Sequence, residues 1–143
     1  MQTHESTTAA PDHQKLLIAS QQSRFKSALV AGIRDGLTEK AVAIRTIDIR
    51  HLGQEDASIY NGILLVNKCM AGRPDPRVEA FIDNFPDKHK LIVLTTGARD
   101  SWSPKTSDVD AMTSASVLSE APILSSKIVD KINALLRLDA APK

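Results

Sequence analysis

Short, evenly apolar runs alternate along the chain with stretches whose apolar residues recur every three to four positions, which predicts strands and helices in turn. Residues 15–20, KLLIAS, are too short and too uniformly apolar for a surface helix and read as a buried strand. Phe25, Ala28, Leu29, Ile33 and Leu37 then fall on one helical stripe, with Gly36 as a stop. AVAIRTIDIR (41–50) predicts a second strand and GILLVN (62–67) a third. Asp75 and Pro76 have the form of an N-cap and a first-turn proline, and Val78, Phe81, Ile82 and Phe85 make one apolar stripe, so a helix is expected over 76–85. KLIVLTT (90–96) and VDAMTS (109–114) complete the strands. APILSSKIVDKINALLRL (121–138) predicts a closing helix that turns Leu124, Ile128, Ile132 and Leu135 inward.

Two connections are thin. HLGQEDASIYN (51–61) has room for a turn or so of helix, and GARDSWSPKTSD (97–108) is polar with Gly and Pro, so helices are reduced after strands two and four. The whole pattern predicts an α/β fold, a doubly wound five-stranded parallel sheet of order 2-1-3-4-5 with right-handed crossovers. Ligands of such sheets bind beyond the carboxyl ends of the strands. Topology therefore brings SQQSRFKS (20–27), NKCMAGRPDP (67–76), TTGARDSWSP (95–104) and TSASVLSE (113–120) to one edge.

Composition narrows the function classes. A chain of 143 residues with 42% apolar content suits one domain, and a formal charge of +1 supplies no overall field toward nucleic acid or an anionic membrane. No basic run interleaves aromatics, so nucleic-acid binding has no support. The single cysteine, Cys69, excludes an intrachain disulfide and a multi-cysteine metal site, and His4, His13, His51 and His89 lack metal-ligand spacing. Residues 1–14 read as a flexible polar leader, 15–138 as the domain and 139–143 as a short tail. No window reaches the roughly 18 apolar residues of a membrane span, and the leader has no charged-then-apolar signal pattern. The cytoplasm is the default expectation, with an exported or anchored form that has lost its N-terminal segment as the alternative.

The stretches YNGILLVNKCMAGRPDPRVEAFIDNF and KLIVLTTGARDSW, with the topology above, resemble the flavodoxin-like family over 15–138. The likeness is closest to small single-domain members that carry Arg-Phe-Lys after strand one, here Arg24, Phe25 and Lys26. In flavodoxins a Thr/Ser-x-Thr-Gly-x-Thr turn converges amides and hydroxyls on the phosphate of FMN at a helix N-terminus. In this chain Ser27 matches the final Thr, and Phe25 and Lys26 stand where that turn has Gly and its neighbour. A bulky Phe resists positive φ, which argues against a tight amide nest, whereas Arg24 and Lys26 supply charge in place of amides. The resemblance implies that Ser20, Gln21, Gln22, Ser23, Arg24, Lys26 and Ser27 face the FMN phosphate. It implies likewise that Asn67, Met70, Ala71, Gly72, Arg73, Thr95, Thr96, Gly97 and Trp102 face the ring, Trp102 by stacking. A redox partner protein would follow. The rival expectation is a cofactor-free interaction module in which Phe25 is core and Arg24 and Lys26 are solvated.

Other constellations point less far. A cysteine phosphatase needs Cys-x5-Arg, whereas Arg73 is the fourth residue after Cys69, so Cys69 reads as a structural thiol, with reversible oxidation the alternative. DVDAMTSAS (108–116) has a loose likeness to a covalent flavin-attachment segment of another fold but lacks its glycine. Thr113, Ser114 and Ser116 therefore read as crevice rim and helix cap. Receiver domains share this topology but need paired acids, an Asp and a Lys where this chain has Gln21 and Gln22, Asn67, and Thr113 with Ser114. No constellation of acid, base and nucleophile argues for a stand-alone enzyme.

Overall fold

The computed structural model describes residues 14–69, 74–97, 109–114 and 117–138. Five strands, β1 (Gln14–Ser20), β2 (Val42–Asp48), β3 (Gly62–Lys68), β4 (Leu91–Thr96) and β5 (Asp110–Ser114), form one sheet of order β2-β1-β3-β4-β5. Every neighbouring pair is parallel. The sheet has the predicted order, and β1 begins one residue earlier than the apolar run alone indicates.

Among the described residues three α-helices flank it: α1 (Arg24–Gly36), α2 (Pro76–Asn84) and α3 (Ala121–Leu136). Side chains of a strand alternate between faces, and the interior strands divide accordingly. Leu16, Ile18, Leu64, Val66, Ile92 and Leu94 pack beneath α1 and α3, while Leu17, Ala19, Ile63, Leu65, Leu91 and Val93 pack on the α2 side. Burial on both faces explains why β1, β3 and β4 are continuous apolar runs. The second predicted strand is shorter than its sequence pattern. It stops at Asp48, whose carboxylate accepts from Arg50 N (2.9 Å) and turns the chain into a 3-10 segment, Ile49–Gln54. A second such segment, Ala57–Ile59, completes the crossover to β3, so no full helix covers β2 on that side. Residues 98–108, between β4 and β5, lie outside the described set.

The caps are as the sequence indicates at α2, where Asp75 precedes Pro76 and its carboxylate accepts from Arg77 N at 2.8 Å. α1 ends at Gly36 as predicted, and the glycine has a further reason to be there. The capping residue Leu37 has an ordinary φ of −108°, and a Cβ on Gly36 would stand 2.8 Å from Val129 Cγ2 of α3. Glycine is there because two helices approach closely. Ala28 lies exposed beside the apolar stripe of α1. No helix among the described residues is long and apolar enough to cross a membrane.

Candidate functional site

The strands end together. Ser20 pairs with Val66, Asn67 with Thr95, Lys68 with Thr96, Thr95 with Thr113 and Thr96 with Ser114, which brings the polar ends of β1, β3, β4 and β5 to one edge. This is the edge where parallel sheets hold ligands.

A hydrogen-bond network fixes that edge from beneath. Gln21, the first residue after β1, donates its amide to Val66 O (3.1 Å), accepts Lys68 N at Oε1 (2.7 Å) and donates Nε2 to Asp75 Oδ2 (3.1 Å). Asp75 is 3% exposed and also receives the guanidinium of Arg77, Nε on Oδ1 and Nη2 on Oδ2, each at 3.0 Å. The Arg77 bonds hold the Asp75 carboxyl below its ordinary pKa, against the opposing effect of burial. Asp75 N in turn donates to Asn67 Oδ1 (2.8 Å), and the Asn67 amide donates to Leu94 O (3.1 Å) and Thr95 Oγ1 (3.2 Å). Asn67, Thr95 and Gln21 thus serve the framework with their side chains. Gln22 reaches the other way, donating to Asp48 Oδ2 at 3.4 Å. The Arg50 backbone N–H is the main cause that lowers the Asp48 pKa, followed by burial acting in opposition and by the Arg50 guanidinium.

The turn after β1 divides the two expectations for it. Ser20 Oγ donates to Gln21 O (2.8 Å), and Ser23 caps α1 by accepting Lys26 N (3.0 Å). Phe25 is core, packed beneath α1, and Arg24 and Ser27 are exposed. Lys26 is neither solvated nor paired with an acid. It is 4% exposed, and its ammonium runs over the strand ends to donate to Thr96 Oγ1 at 3.0 Å. No carboxylate faces it among the described residues. Burial, followed by the charge of Lys68, lowers its pKa. The amides of Arg24 and Phe25 precede the first intrahelical bond, Ser27 N to Ser23 O (2.8 Å), as helix starts require.

Two further site residues sit on the rim. Cys69 is half-buried and donates its amide to Thr96 O (2.8 Å). Gly97 takes φ +80° and donates to Ser114 O (2.9 Å), a left-handed turn that suits glycine. Met70, Ala71, Gly72, Arg73, Trp102 and Ser116 lie outside the described residues. Lys68 and Asp75, which close the framework around Gln21 and Asn67, were not read as site residues from the sequence. Both bond Gln21, which lies 47 and 54 positions away, and only the N-cap pattern at Asp75 marks either one.

No family model matches the chain, and no curated protein matches it. Solved structures do. A flavodoxin from the domain Archaea superposes with a TM-score of 0.57 at 13% identity, over 84% of this chain and 99% of that one. The chain has the flavodoxin-like fold. The same fold occurs in the flavodiiron core Flv1 of Synechocystis sp. PCC6803 (TM-score 0.56, 14% identity), where it covers 90% of this chain and 37% of that one. It occurs also in the lysine decarboxylase LdcF of Francisella novicida (TM-score 0.56, 12% identity), over 91% of this chain and 18% of that one. The chain therefore spans little more than a third of the first of these larger proteins and less than a fifth of the second. Relative to the glycine turn expected of a flavodoxin-like fold, this protein has a buried phenylalanine and, next to it, a buried ammonium.

Proposed function

We propose that this protein binds FMN, or a closely related phosphorylated flavin, at the carboxyl edge of its sheet, and that it acts in electron transfer with a partner protein. The observation that carries this reading is Lys26. An ammonium has three donors, and this one, nearly removed from water, meets among the described residues a single neutral hydroxyl, on Thr96. A desolvated cation with donors to spare, beside the open amides of a helix start, suits a phosphate in chemistry and in charge. The phosphate would be held by Lys26, the Arg24 and Phe25 amides and the hydroxyls of Ser23 and Ser27, with Arg24 adding charge from the exposed side. The loops around Met70–Arg73 and Gly97–Trp102 would embrace the ring. Bound FMN would supply one- and two-electron transfer, and the chain would orient it and exclude water.

A second reading is favoured by a separate observation. Phe25 fills the core at the glycine position and both ends of the Gln21 amide are engaged, as expected of a module that kept the fold without the cofactor.

Titration of the full chain with FMN and with riboflavin, read by flavin fluorescence and by quenching of Trp102, the sole tryptophan, separates the two. Charge-assisted bonds contribute about 1.5–3 kcal/mol, so FMN should bind on the order of 10- to 100-fold tighter than riboflavin. That preference should shrink as salt rises. Absence of flavin binding would assign the protein to the second reading, and equal affinity for the two flavins would remove Lys26 from phosphate recognition.

A further inference from the structure

A groove of about 480 Å³ runs between the 3-10 segment Ile49–Gln54 and α2, on the face of the sheet opposite α1 and α3. It exists because the crossover from β2 to β3 is too short for a full helix. Ile49 and Leu52 form one wall at 1% and 2% exposure, with Phe85, also buried, beneath the other. Phe81 stacks on Phe85 with ring centroids 5.3 Å apart and planes 16° from parallel. Arg77, Ala80, Phe81 and Asn84 line the groove at i, i+3, i+4 and i+7 of the helix, a second stripe distinct from Val78 and Ile82, which enter the core. A Cβ built on Gly53, at the groove's edge, meets nothing within 4 Å, so a side chain there is accommodated without a clash.

The groove has a charged end. Arg77 lies in the first turn of α2, and Arg50 is brought to the same end by Asp48, which accepts its Nε at 3.2 Å and also acts electrostatically on Arg77. Both arginine side chains are half-exposed or more, at 66% and 50%. Each is held along one side by an aspartate, Arg50 by Asp48 and Arg77 by Asp75, which orients it and leaves further N–H donors pointing elsewhere. Asn84 at the far end donates its amide to Ala80 O (2.8 Å), within its own helix. One end therefore offers the spare guanidinium N–H donors of two arginines, each already paired with an aspartate, and the remainder offers aromatic and aliphatic surface.

We propose that this groove binds a hydrophobic carboxylate, a fatty or aromatic acid, with the carboxylate on Arg50 and Arg77 and the apolar part over Leu52, Phe81 and Phe85. The volume falls in the range of about 300–1,000 Å³ typical of small-ligand sites. Guanidinium forks match carboxylates better than they match neutral polar groups. The groove lining shares no residue with those that would hold a flavin phosphate, although its charged end adjoins them through Gln22–Asp48 and Gln21–Asp75, and the proposal stands whether or not a flavin binds.

Decanoate and decanol, titrated calorimetrically against the full chain, test this. Decanoate should bind at least fivefold tighter than decanol, and Arg50→Gln, which leaves the Asp75–Arg77 cap intact, should reduce that preference to twofold or less. Ala80→Trp and, independently, Gly53→Phe should each weaken both ligands at least tenfold by filling the groove, while FMN titrations of the same variants stay as in the wild type. The proposal is overturned if decanoate gives no binding, if acid and alcohol bind equally, or if a folded groove-filling variant binds decanoate like the wild type. Should Ala80→Trp fail to fold, Gly53→Phe, at a lining position where a Cβ meets no neighbour, decides.

Discussion

Lys26 Nζ donates to Thr96 Oγ1 at 3.0 Å, a bond between residues 70 positions apart that ties the first turn of α1, across the end of β3, to the end of β4. The bond holds a cation out of water with a neutral partner. Burial of charge without an opposite charge is costly, and replacing such groups by apolar ones of similar size often stabilises.

Lys26→Met should therefore raise stability at pH 7 by on the order of 1 kcal/mol while weakening FMN. Because the folded-state pKa of Lys26 lies below the unfolded value of about 10.4, the unfolded chain binds the extra proton between those two values. The penalty is full below the folded pKa and is relieved as pH rises toward the unfolded one. Urea denaturation of both proteins at pH 7 and pH 10 should show the advantage of Lys26→Met shrinking at the higher pH. A midpoint below that of the wild type at pH 7 would mean that the ammonium is net stabilising.

Asp75 has the opposite sign. Its folded pKa is depressed, chiefly by Arg77, so its contribution is present above the unfolded value of about 3.9 and is lost as pH falls through the folded value. Asp75→Asn should cost about 2 kcal/mol at pH 7, from the cap and the charge-assisted bonds. Denaturation midpoints between pH 2 and 6 should fall less steeply in the variant. Asp48, shifted in the same direction, keeps part of the acid dependence.

Asn67 is fully buried and joins β3, β4 and the start of α2 through three hydrogen bonds. Asn67→Leu leaves Asp75 N and Leu94 O without these partners and should destabilise by about 3 kcal/mol. Gln21→Leu removes the acceptor for Lys68 N. Hydrogen exchange at the Lys68 amide should speed up at least tenfold, a local change that global unfolding curves would underreport.

Gly36→Ala should destabilise by about 1 kcal/mol, although alanine is the better helix former. The new methyl would meet Val129 Cγ2, a β-branched side chain with little rotameric freedom on a helix. Thermal unfolding of this variant, and its recovery in a Gly36→Ala, Val129→Ala double variant, would check the cause.

Elements buried on two faces, or bearing a cap with a mechanism, were readable along the chain. GILLVN is a strand because both of its faces are covered, and Asp75–Pro76 opens a helix for reasons local to those residues. Where the outcome rests on distant partners, local pattern says nothing. A lysine in the first turn of a helix reads as solvated until the fold carries it to Thr96, and Gln21 reads as a loop residue until Lys68 and Asp75 close on it. Gly36 is legible as the end of α1, while its close approach to Val129 is not, since stop and close approach both call for a missing side chain.

Because β1 lies between β2 and β3, the sheet extends outward from β1 on both sides as the chain runs on. A nascent chain can complete β2-β1-β3 only after Lys68 is made, and from then on the growing border is first β3 and then β4, each with six buried positions, most of them apolar and covering both faces. Only β5, with no fully buried residue, presents an outer margin suited to water, as β2 does on the opposite side. A chain halted before Asp110 would bear an open, sticky border, so chaperone dependence should peak in that interval of synthesis and end when β5 docks.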